Sequence, residues 1–357
     1  MSAINTRWPL PRVPRVRPAI PLPWFPPATA AGAVLVRHPR LLSALLPLYL
    51  ASYPALSLKP RERELVILRA SWNAGGYYEW GHHANVQRAL GRDWAWMRRI
   101  ARGPEALGWE PRQVALLRAV DELYSCQRIG DDTWSRLYFL SPRQRAELCL
   151  VTGFYDAGAQ LYGSLGVPYD GWSRTPLTLP SPPSWAAAPP EPRGPREAPA
   201  PIPAGTPERP SVPWLPVAPR ARKLLAGHPH LPSALRFLAH RVGGHLTLTG
   251  ERMDLVVLRT LDLCGRDSSW AQEEWRLRAL AAEPGLAARA RTGTAADGRE
   301  AALIQAVDEL HTGRYVTDAT WTELSGFLSS RQLIELLTAV GAFRMLAMTA
   351  TTLDGRV

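Results

Sequence analysis

The chain has few cysteines, almost no lysine and no long hydrophobic run. Its cysteines, Cys126, Cys149 and Cys264, are odd in number and lack the spacing of metal ligands, which argues against a disulfide framework and against a zinc site. No segment approaches the roughly 20 consecutive apolar residues of a membrane-spanning helix, and the first residues lack the apolar core of a secretory signal. We therefore expect a cytoplasmic protein that does not span a membrane.

Lysine is represented only by Lys59 and Lys223, so arginine supplies nearly all of the 42 basic residues and the net charge of +11. Nucleic-acid-binding proteins carry basic runs, recognition motifs or aromatic-basic grooves, and none is visible. Many arginines instead alternate with acids, as in segment 61–64, where short-range ion pairing on a helix is the simpler explanation. We expect no nucleic-acid partner, although diffuse positive charge can attract an acidic small substrate.

Proline, by contrast, is abundant and concentrated in two segments. Residues 1–27 hold eight prolines and residues 173–212 hold thirteen. Neither segment has the apolar periodicity that would let it bury enough surface to offset its ordering entropy. We predict a proline-rich N-terminal arm over residues 1–21 and an interdomain linker over residues 173–211.

The rest of the first half has the apolar periodicity of helices. No segment shows the alternation of a strand, so the predicted fold class is all-α. Proline, glycine and capping residues place the helix ends. The predicted helices cover 28–52 in two pieces separated at His38-Pro39, Pro60 to Gly75-Gly76, 77–90, 93–102, 111–127, 131–139 and 142–163.

The chain also repeats itself, and its 357 residues leave room for two domains. Four sets of residues recur 190 positions later, and three more recur after a small shift in register. We predict two tandem helical-bundle domains, 22–172 and 212–357. The matched sets are Pro23-Trp24 with Pro213-Trp214, His38-Pro39 with His228-Pro229, 43–45 with 233–235, Leu65, Val66, Leu68 and Arg69 with Leu255, Val256, Leu258 and Arg259, 119–123 with 306–310, Thr133-Trp134 with Thr320-Trp321, and Arg143-Gln144 with Arg331-Gln332.

The segment 65–90 carries an acid and a base one helical turn apart, Glu79 and His83. Val86 and Leu90 continue the same face, which predicts that both polar groups point toward a partly buried surface. Burial would raise the pKa of the glutamate and a nearby carboxylate would raise that of the histidine, which suits general acid–base catalysis. His82 could assist.

One simpler interpretation of the same residues remains open, and a second is excluded. The pair could merely satisfy itself on the helix surface, since an acid and a base at this spacing are common. The adjacent histidines point apart, so they do not form the two-histidine motif of zinc metalloproteases, and we predict no metal site.

Together these residues resemble the carboxymuconolactone decarboxylase family, related to the alkylhydroperoxidase D-like proteins. The resemblance covers most of each repeat and rests on 65–90, Glu64, segments 119–123 and 132–134, and Arg143-Gln144, with Tyr78, Glu79, Trp80 and His83 as its most specific part. It implies an all-α bundle that assembles into trimers or hexamers, with sites in clefts near subunit contacts.

The redox branch of that family carries a Cys-x-x-Cys-x-x-x-His helix and an upstream glutamate. Aligned on His83, the two cysteine positions hold Gly76 and Glu79, and the upstream glutamate is Glu64. A thiol peroxidase needs a thiolate to attack the peroxide, so we do not expect that activity. Cys126 and Cys149 are expected to be inert core residues.

The decarboxylase branch remains, and it implies acid–base chemistry without a cofactor. We predict that Glu79 and His83 handle protons with Glu64 as relay, and that His82, Trp80, Tyr78 and Arg69 contact a small-molecule substrate. For Arg69 a structural ion pair is an alternative to an anion clamp. Trp80 recurs as Trp270, which favours core packing over a pocket wall.

The second repeat has Asp254, Ser269 and Glu273 where the first has Glu64, Glu79 and His83. It is predicted to be degenerate, although Asp254 and Glu273 leave open an acid–base pair of its own.

The predicted function is a lyase or isomerase that acts on a small carboxylated or enolisable substrate by decarboxylation, cyclisation or double-bond shift, as a tailoring step in bacterial specialised metabolism. A peroxidase and a non-catalytic scaffold are the alternatives. A trimer of such chains would present six domains and resemble the family hexamer.

Overall fold

The structure is a computed structural model that describes residues 12, 29–36, 38–53, 56–174, 246–248, 250–264 and 285–353. These residues form thirteen helices and no strand, which confirms the predicted all-α class. The predicted arm, the predicted linker and the repeat partners Pro213-Trp214, His228-Pro229, 233–235, Ser269, Trp270 and Glu273 lie outside the described residues, apart from Arg12 and 173–174.

The helices of the first half follow the predicted segments closely. They are α1 (Ala30–Leu35), α2 (Pro39–Ser52), α3 (Pro60–Asn73), α4 (Tyr77–Ala89), α5 (Trp94–Arg102), α6 (Pro111–Cys126), α7 (Asp131–Arg136) and α8 (Pro142–Leu165). The described part of the second half adds α9 (Glu251–Leu263), α10 (Leu286–Thr292), α11 (Gly298–Gly313), α12 (Asp318–Ser325) and α13 (Ser330–Leu353).

Local sequence signals explain where the site-bearing helices begin and end. The His38 ring accepts the backbone N–H of Leu41 and separates α1 from α2. Between α3 and α4, Gly75 takes a positive φ of 66°, a conformation that costs little only for glycine. α8 starts with the predicted capping box, in which Ser141 and Gln144 bond each other's backbone N–H groups.

The core is centred on the two longest helices, α8 and α13, each of 24 residues. A Cβ on Gly153 would lie 2.6 Å from Met345, and a Cβ on Gly341 would lie 2.7 Å from Ala157. Gly153 and Gly341 are 188 positions apart, as are Ala157 and Met345. The two helices therefore meet through equivalent surfaces, the pattern of a two-fold symmetric interface, here within one chain.

By length and composition alone α13 could cross a membrane, but its apolar stretch is 100% buried inside the protein. A core helix of a globular protein passes the same test.

Matched contacts support the predicted repeat. Arg69 pairs with Asp121 and bonds two carbonyls at the end of α5, while Arg259 pairs with Asp308 and bonds two carbonyls at the end of α10. Glu335 accepts the backbone N–H groups of 247 and 248, as Glu147 does those of 57 and 58. The proposed domain boundaries stay predictions.

A buried ionic cluster joins the two halves. Asp156 on α8 accepts hydrogen bonds from Arg314, at 2.8 Å, and from Arg344 on α13, at 2.7 Å. Burial raises the pKa of the Asp156 carboxyl, but the two guanidinium charges outweigh burial and hold that pKa below its ordinary value. His38 adds a second link, because its Nε2 bonds Glu335 on α13. These contacts fix α13 against the first half, where it forms one wall of the cavity described next.

Candidate active site

A cavity of about 310 Å³ lies between α1, α2, α4, α8 and α13. Its volume is at the lower end of the range for small-molecule sites. The lining is mostly aliphatic and aromatic, with a few polar groups on α4 and α8. The described lining residues are Thr29, Ala31, Leu35, Leu45, Leu48, Tyr49, Tyr53, Tyr78, Glu79, His82, His83, Val86, Phe154, Tyr155, Ala157, Gly158, Leu161, Tyr162, Trp172, Leu337, Thr338, Ala342 and Met345.

Glu79 projects into this cavity from the first turn of α4 and is only 7% exposed. Neither carboxyl oxygen has a hydrogen-bond partner in any other residue that the structure describes. Two glycines make room for the group: a Cβ on Gly76 would lie 3.1 Å from Glu79 Oε2, and a Cβ on Gly158 would overlap Oε1. Buried carboxyl groups are normally paired, so an unpartnered one facing a cavity indicates a binding or catalytic role.

The pKa of Glu79 is raised from 4.5 to about 8 because burial disfavours the charged form. A contact with its own backbone N–H lowers the pKa, but by less than burial raises it. At neutral pH the group is therefore mainly a neutral carboxylic acid. This confirms the predicted direction of the shift and leaves Glu79 able to donate a proton or a hydrogen bond.

His83, one turn further along α4, is held between an acid and a phenol. Its Nδ1 lies 2.9 Å from Glu64 Oε2, and its Nε2 lies 2.9 Å from the hydroxyl of Tyr155. The neutral ring that donates from Nδ1 to Glu64 leaves Nε2 to accept the Tyr155 hydroxyl. A carboxylate, an imidazole and a hydroxyl thus follow one another in a chain of hydrogen bonds. In this order the carboxylate can orient the imidazole, and the imidazole can act as a base on the hydroxyl.

The charges along this chain of hydrogen bonds are consistent with that assignment. Burial raises the pKa of Glu64, but the hydrogen bond that it accepts from His83 and the nearby charge of Arg63 outweigh burial and leave the pKa below its ordinary value. Glu64 is therefore ionised at neutral pH. Burial, together with the Glu64 charge, raises the pKa of Tyr155 well above its ordinary value, so Tyr155 keeps its proton.

A second polar group lies at the rim of the cavity. Asp170 accepts the hydroxyl of Tyr78 at 2.7 Å and lies 2.8 Å from His82 Nε2. The His82 ring stacks on Trp172, which is 57% exposed, with 4.6 Å between ring centroids. Burial lowers the pKa of His82, despite the opposing effect of Asp170, so the ring is neutral at pH 7. Tyr78 and His82 both line the cavity, as predicted for substrate contacts.

Two predicted substrate contacts do not reach the cavity. Arg69 makes a buried ion pair with Asp121, which corresponds to the structural alternative and not to an anion clamp. Trp80 is 0% exposed and packs on Trp72 with ring centroids 4.9 Å apart, so it belongs to the core. Arg259 makes the matching ion pair with Asp308 in the second repeat, whereas Trp270 lies outside the described residues.

Other sequence expectations need correction. The sequence predicts that Val86 and Leu90 continue the buried face of α4. Val86 does line the cavity, but Leu90 is 72% exposed because α4 ends before it. The interpretation of Glu79 and His83 as a self-satisfied pair is wrong, since His83 bonds Glu64 and Tyr155 instead.

Sequence reasoning missed Tyr155, Asp170 and the wall formed by α13. Tyr155 could have been found by comparing the repeats, because its equivalent 188 positions later is Phe343, which lacks the hydroxyl. The equivalent of Gly158 is Leu346, a buried residue that has a side chain where Gly158 has none. The described part of the second repeat thus lacks both the hydroxyl of Tyr155 and the glycine found at position 158.

Among the residues that the structure describes, no arginine or lysine lines the cavity. Cys126 is exposed, while Cys149 and Cys264 are buried, and none of the three lines it. No group of three or more His, Cys, Asp or Glu side chains in the described part of the chain is placed to hold a metal ion.

Comparison of the chain with protein-family models, with curated proteins and with solved structures found no match. The functional interpretation therefore depends on the geometry of the site itself.

Proposed function

We propose that this protein is a cofactor-independent acid–base enzyme, a lyase or isomerase, that acts on a small enolisable or carboxylated substrate bound in the cavity. One observation carries the proposal: the unpartnered carboxyl of Glu79 lines the same cavity as His83 and Tyr155, and Glu64 bonds His83 from behind. An acid and an oriented base on one small cavity are the requirements for removing a proton next to a carbonyl group and returning it elsewhere.

The proton steps balance without a co-reactant. Glu79 passes its proton to the carbonyl oxygen as negative charge develops there, so the substrate becomes an enol and Glu79 a carboxylate, and the enol proton returns to Glu79 when the carbonyl group re-forms. Tyr155 takes the proton from the substrate carbon while its own hydroxyl proton passes to His83 Nε2, and ionised Glu64 stabilises the resulting imidazolium. Return of a proton to a different carbon completes a double-bond shift, and attack of the enol carbon on a second carbonyl of the same molecule completes a cyclisation.

Support for the decarboxylase-like interpretation over a peroxidase comes from the cysteines. The positions that a redox helix would give to cysteine hold Gly76 and Glu79, and the glycine provides space for the glutamate carboxyl. None of the three cysteines lines the cavity. We therefore propose only the non-thiol chemistry of the carboxymuconolactone decarboxylase family, which the sequence resembles.

Hydrogen–deuterium exchange tests the proposal without knowledge of the natural substrate. Enolisation of a ketone such as 2-tetralone in D2O replaces its α-hydrogens with deuterium, which proton NMR detects, and a panel of small ketones and keto acids extends the assay. We expect the protein to accelerate exchange and the variants Glu79→Gln and His83→Ala to lose the acceleration while they keep the wild-type circular dichroism spectrum.

A non-catalytic binding protein gives a different result in the same assay. It would show no acceleration with any member of the panel, or an acceleration that both variants retain. Glu323→Gln, which changes an exposed carboxylate far along the chain on α12, serves as the matched control and should exchange the ketone at the wild-type rate.

We further propose that three chains assemble, so that six helical domains imitate a family hexamer. Light scattering coupled to gel filtration would then give three times the chain mass of 39.4 kDa. A compact monomer would contradict this proposal without affecting the acid–base proposal.

A further inference from the structure

We infer that the natural ligand of the cavity is an uncharged carbonyl compound, whose oxygen accepts a hydrogen bond from the Glu79 carboxyl, and not a carboxylate. The inference rests on the proposed function and narrows it to one substrate class. It favours double-bond shift or cyclisation over decarboxylation, because a decarboxylase substrate brings a carboxylate into the site.

The first argument is the absence of a cation among the described residues that line the cavity. A carboxylate that enters an apolar cavity loses its hydration and needs a positive partner in return. The guanidinium of Arg63 lies over the ring of Tyr53, a lining residue, at 4.4 Å, and its Nε lies 3.4 Å from Glu64, so it serves those groups. Asp170 at the rim and ionised Glu64 behind His83 would both repel an anion.

The second argument is the unused hydrogen-bonding capacity of Glu79. The residue is only 7% exposed, and neither carboxyl oxygen bonds another described residue. A buried polar group without a partner is unfavourable, and a ligand that supplies the missing hydrogen bond would relieve this cost. A neutral carboxylic acid has one O–H to donate, and a carbonyl oxygen is the acceptor that an enolisable substrate supplies.

The third argument is the aromatic character of the wall. Tyr53, Phe154 and Tyr155 form a continuous set of edge contacts with His83, and Trp172 lies parallel to His82 at the rim with an interplanar angle of 8°. Aromatic rings of this kind favour flat, apolar ligands through stacking and edge contacts. The expected ligand is therefore flat as well as uncharged.

The titratable groups that face Glu79 come from three elements. On α4 they are Tyr77, Tyr78, His82 and His83, on α8 they are Tyr155 and Tyr162, and at the end of α2 they are Tyr49 and the C-cap residue Tyr53; the part of α13 that lines the cavity has none. Burial raises the pKa of each of these tyrosines above its ordinary value, so they stay neutral. Ionisation of Glu79 is the event that would change ligand binding in mildly alkaline solution.

A matched pair of probes tests the inference by binding alone. 2-Acetylnaphthalene and 2-naphthoate share a ring system and a number of heavy atoms, but only the second is charged. We expect fluorescence titration of the full chain at about pH 6.5 to show the ketone binding at least about tenfold more tightly than the carboxylate, because the charged probe loses hydration without gaining a cation. Equal or tighter binding of the carboxylate, or no binding of the ketone, would overturn the inference.

The role of Glu79 is tested by pH and by two variants. Raising the pH from about 6.5 to about 9 should weaken ketone binding to the wild type, because the ionised carboxyl can no longer donate. Glu79→Gln keeps an N–H donor and should bind the ketone equally at both pH values, whereas Glu79→Leu should bind it weakly at both. Ketone affinity that is independent of pH in the wild type would assign the hydrogen bond to another group and overturn the inference.

The two proposals fail separately. Tight ketone binding without deuterium exchange supports the ligand class and contradicts the enzyme proposal. Exchange that is accelerated only for carboxylated members of the panel supports the enzyme proposal and contradicts the proposed ligand class.

Discussion

The carboxyl of Glu79 occupies space that exists only because residue 158 has no side chain. A Cβ on Gly158 would overlap Glu79 Oε1, and the ring of Tyr162 would be its next neighbour, at 3.7 Å. Gly158 and Glu79 come from different helices, α8 and α4, and are far apart in sequence. Gly158 thus provides the space in which the Glu79 carboxyl lies, although glycine does not stabilise a helix.

Gly158→Ala should therefore reduce activity without unfolding the protein. The added methyl group displaces the end of a flexible side chain, which costs little, and alanine is about 1 kcal/mol better than glycine within a helix. We expect the melting temperature to stay the same or rise while deuterium exchange falls by about tenfold or more, since a displaced acid no longer meets the carbonyl oxygen.

Gly298→Ala is the matched control for that variant, because a Cβ there has no neighbour within 4 Å. It should leave both stability and exchange at the wild-type level. Full exchange activity in Gly158→Ala would show that the position of the Glu79 carboxyl does not matter for the chemistry.

Glu79 should also make the protein less stable as the pH rises. Its pKa is about 8 in the folded protein against an ordinary 4.5, so the folded state binds the proton more tightly than the unfolded state. This advantage is complete below about pH 4.5 and is lost as the pH rises toward 8, at up to about 1.4 kcal/mol per pH unit. Glu79→Gln has no carboxyl group at this position, so its stability does not fall in this way as the pH rises.

Thermal unfolding of both proteins across the pH range measures this effect. The melting temperature of Glu79→Gln should exceed that of the wild type by an amount that grows between about pH 5 and about pH 8 and is constant above. A difference that does not change with pH would mean that Glu79 is not protonated in the folded protein.

The pH dependence of turnover reports the same proton. If Glu79 must donate to the carbonyl oxygen, the enzyme-catalysed exchange rate should fall about tenfold per pH unit above about pH 8, because only the protonated fraction is active. The rate is measured after subtraction of the uncatalysed exchange, which rises with pH. A catalysed rate that increases through this range would instead make ionised Glu79 the base.

Tyr155→Phe should retain the fold and lose most of the activity. Phenylalanine is the residue at the equivalent position of the second repeat, Phe343, where it is buried in the same helical framework. The variant removes the hydroxyl that connects the cavity to His83 Nε2, and loss of such a proton-transfer group costs typically 10²- to 10⁴-fold.

Exchange activity and near-ultraviolet circular dichroism of Tyr155→Phe test this prediction together. Retention of ketone binding with loss of exchange would separate proton transfer from ligand recognition. Unchanged exchange would leave His83 to act directly and remove Tyr155 from the proton path.

Sequence periodicity and end signals predicted the helices of the first half within a few residues. The reason is that helix ends depend on nearby residues, such as Pro60 at the start of α3, Gly75 after it and Ser141 with Gln144 at α8. The acid and the base on α4 were also predictable, because one turn of helix fixes their shared face. The sequence leaves two roles open for Arg69, an anion clamp and a structural ion pair, because it does not show whether Asp121 lies beside it.

The sequence by itself thus determined the all-α class and singled out Glu79, His83 and Glu64. Only the tertiary structure decided what these groups do. Burial, which depends on every element around the cavity, makes Glu79 a neutral acid. The packing of α8 on α4 gives His83 its Tyr155 partner, and α13, more than 250 residues after α4 begins, completes the wall. Local pattern fixes which residues share a helix face, whereas pKa and partners are set by long-range packing that one-dimensional spacing does not encode.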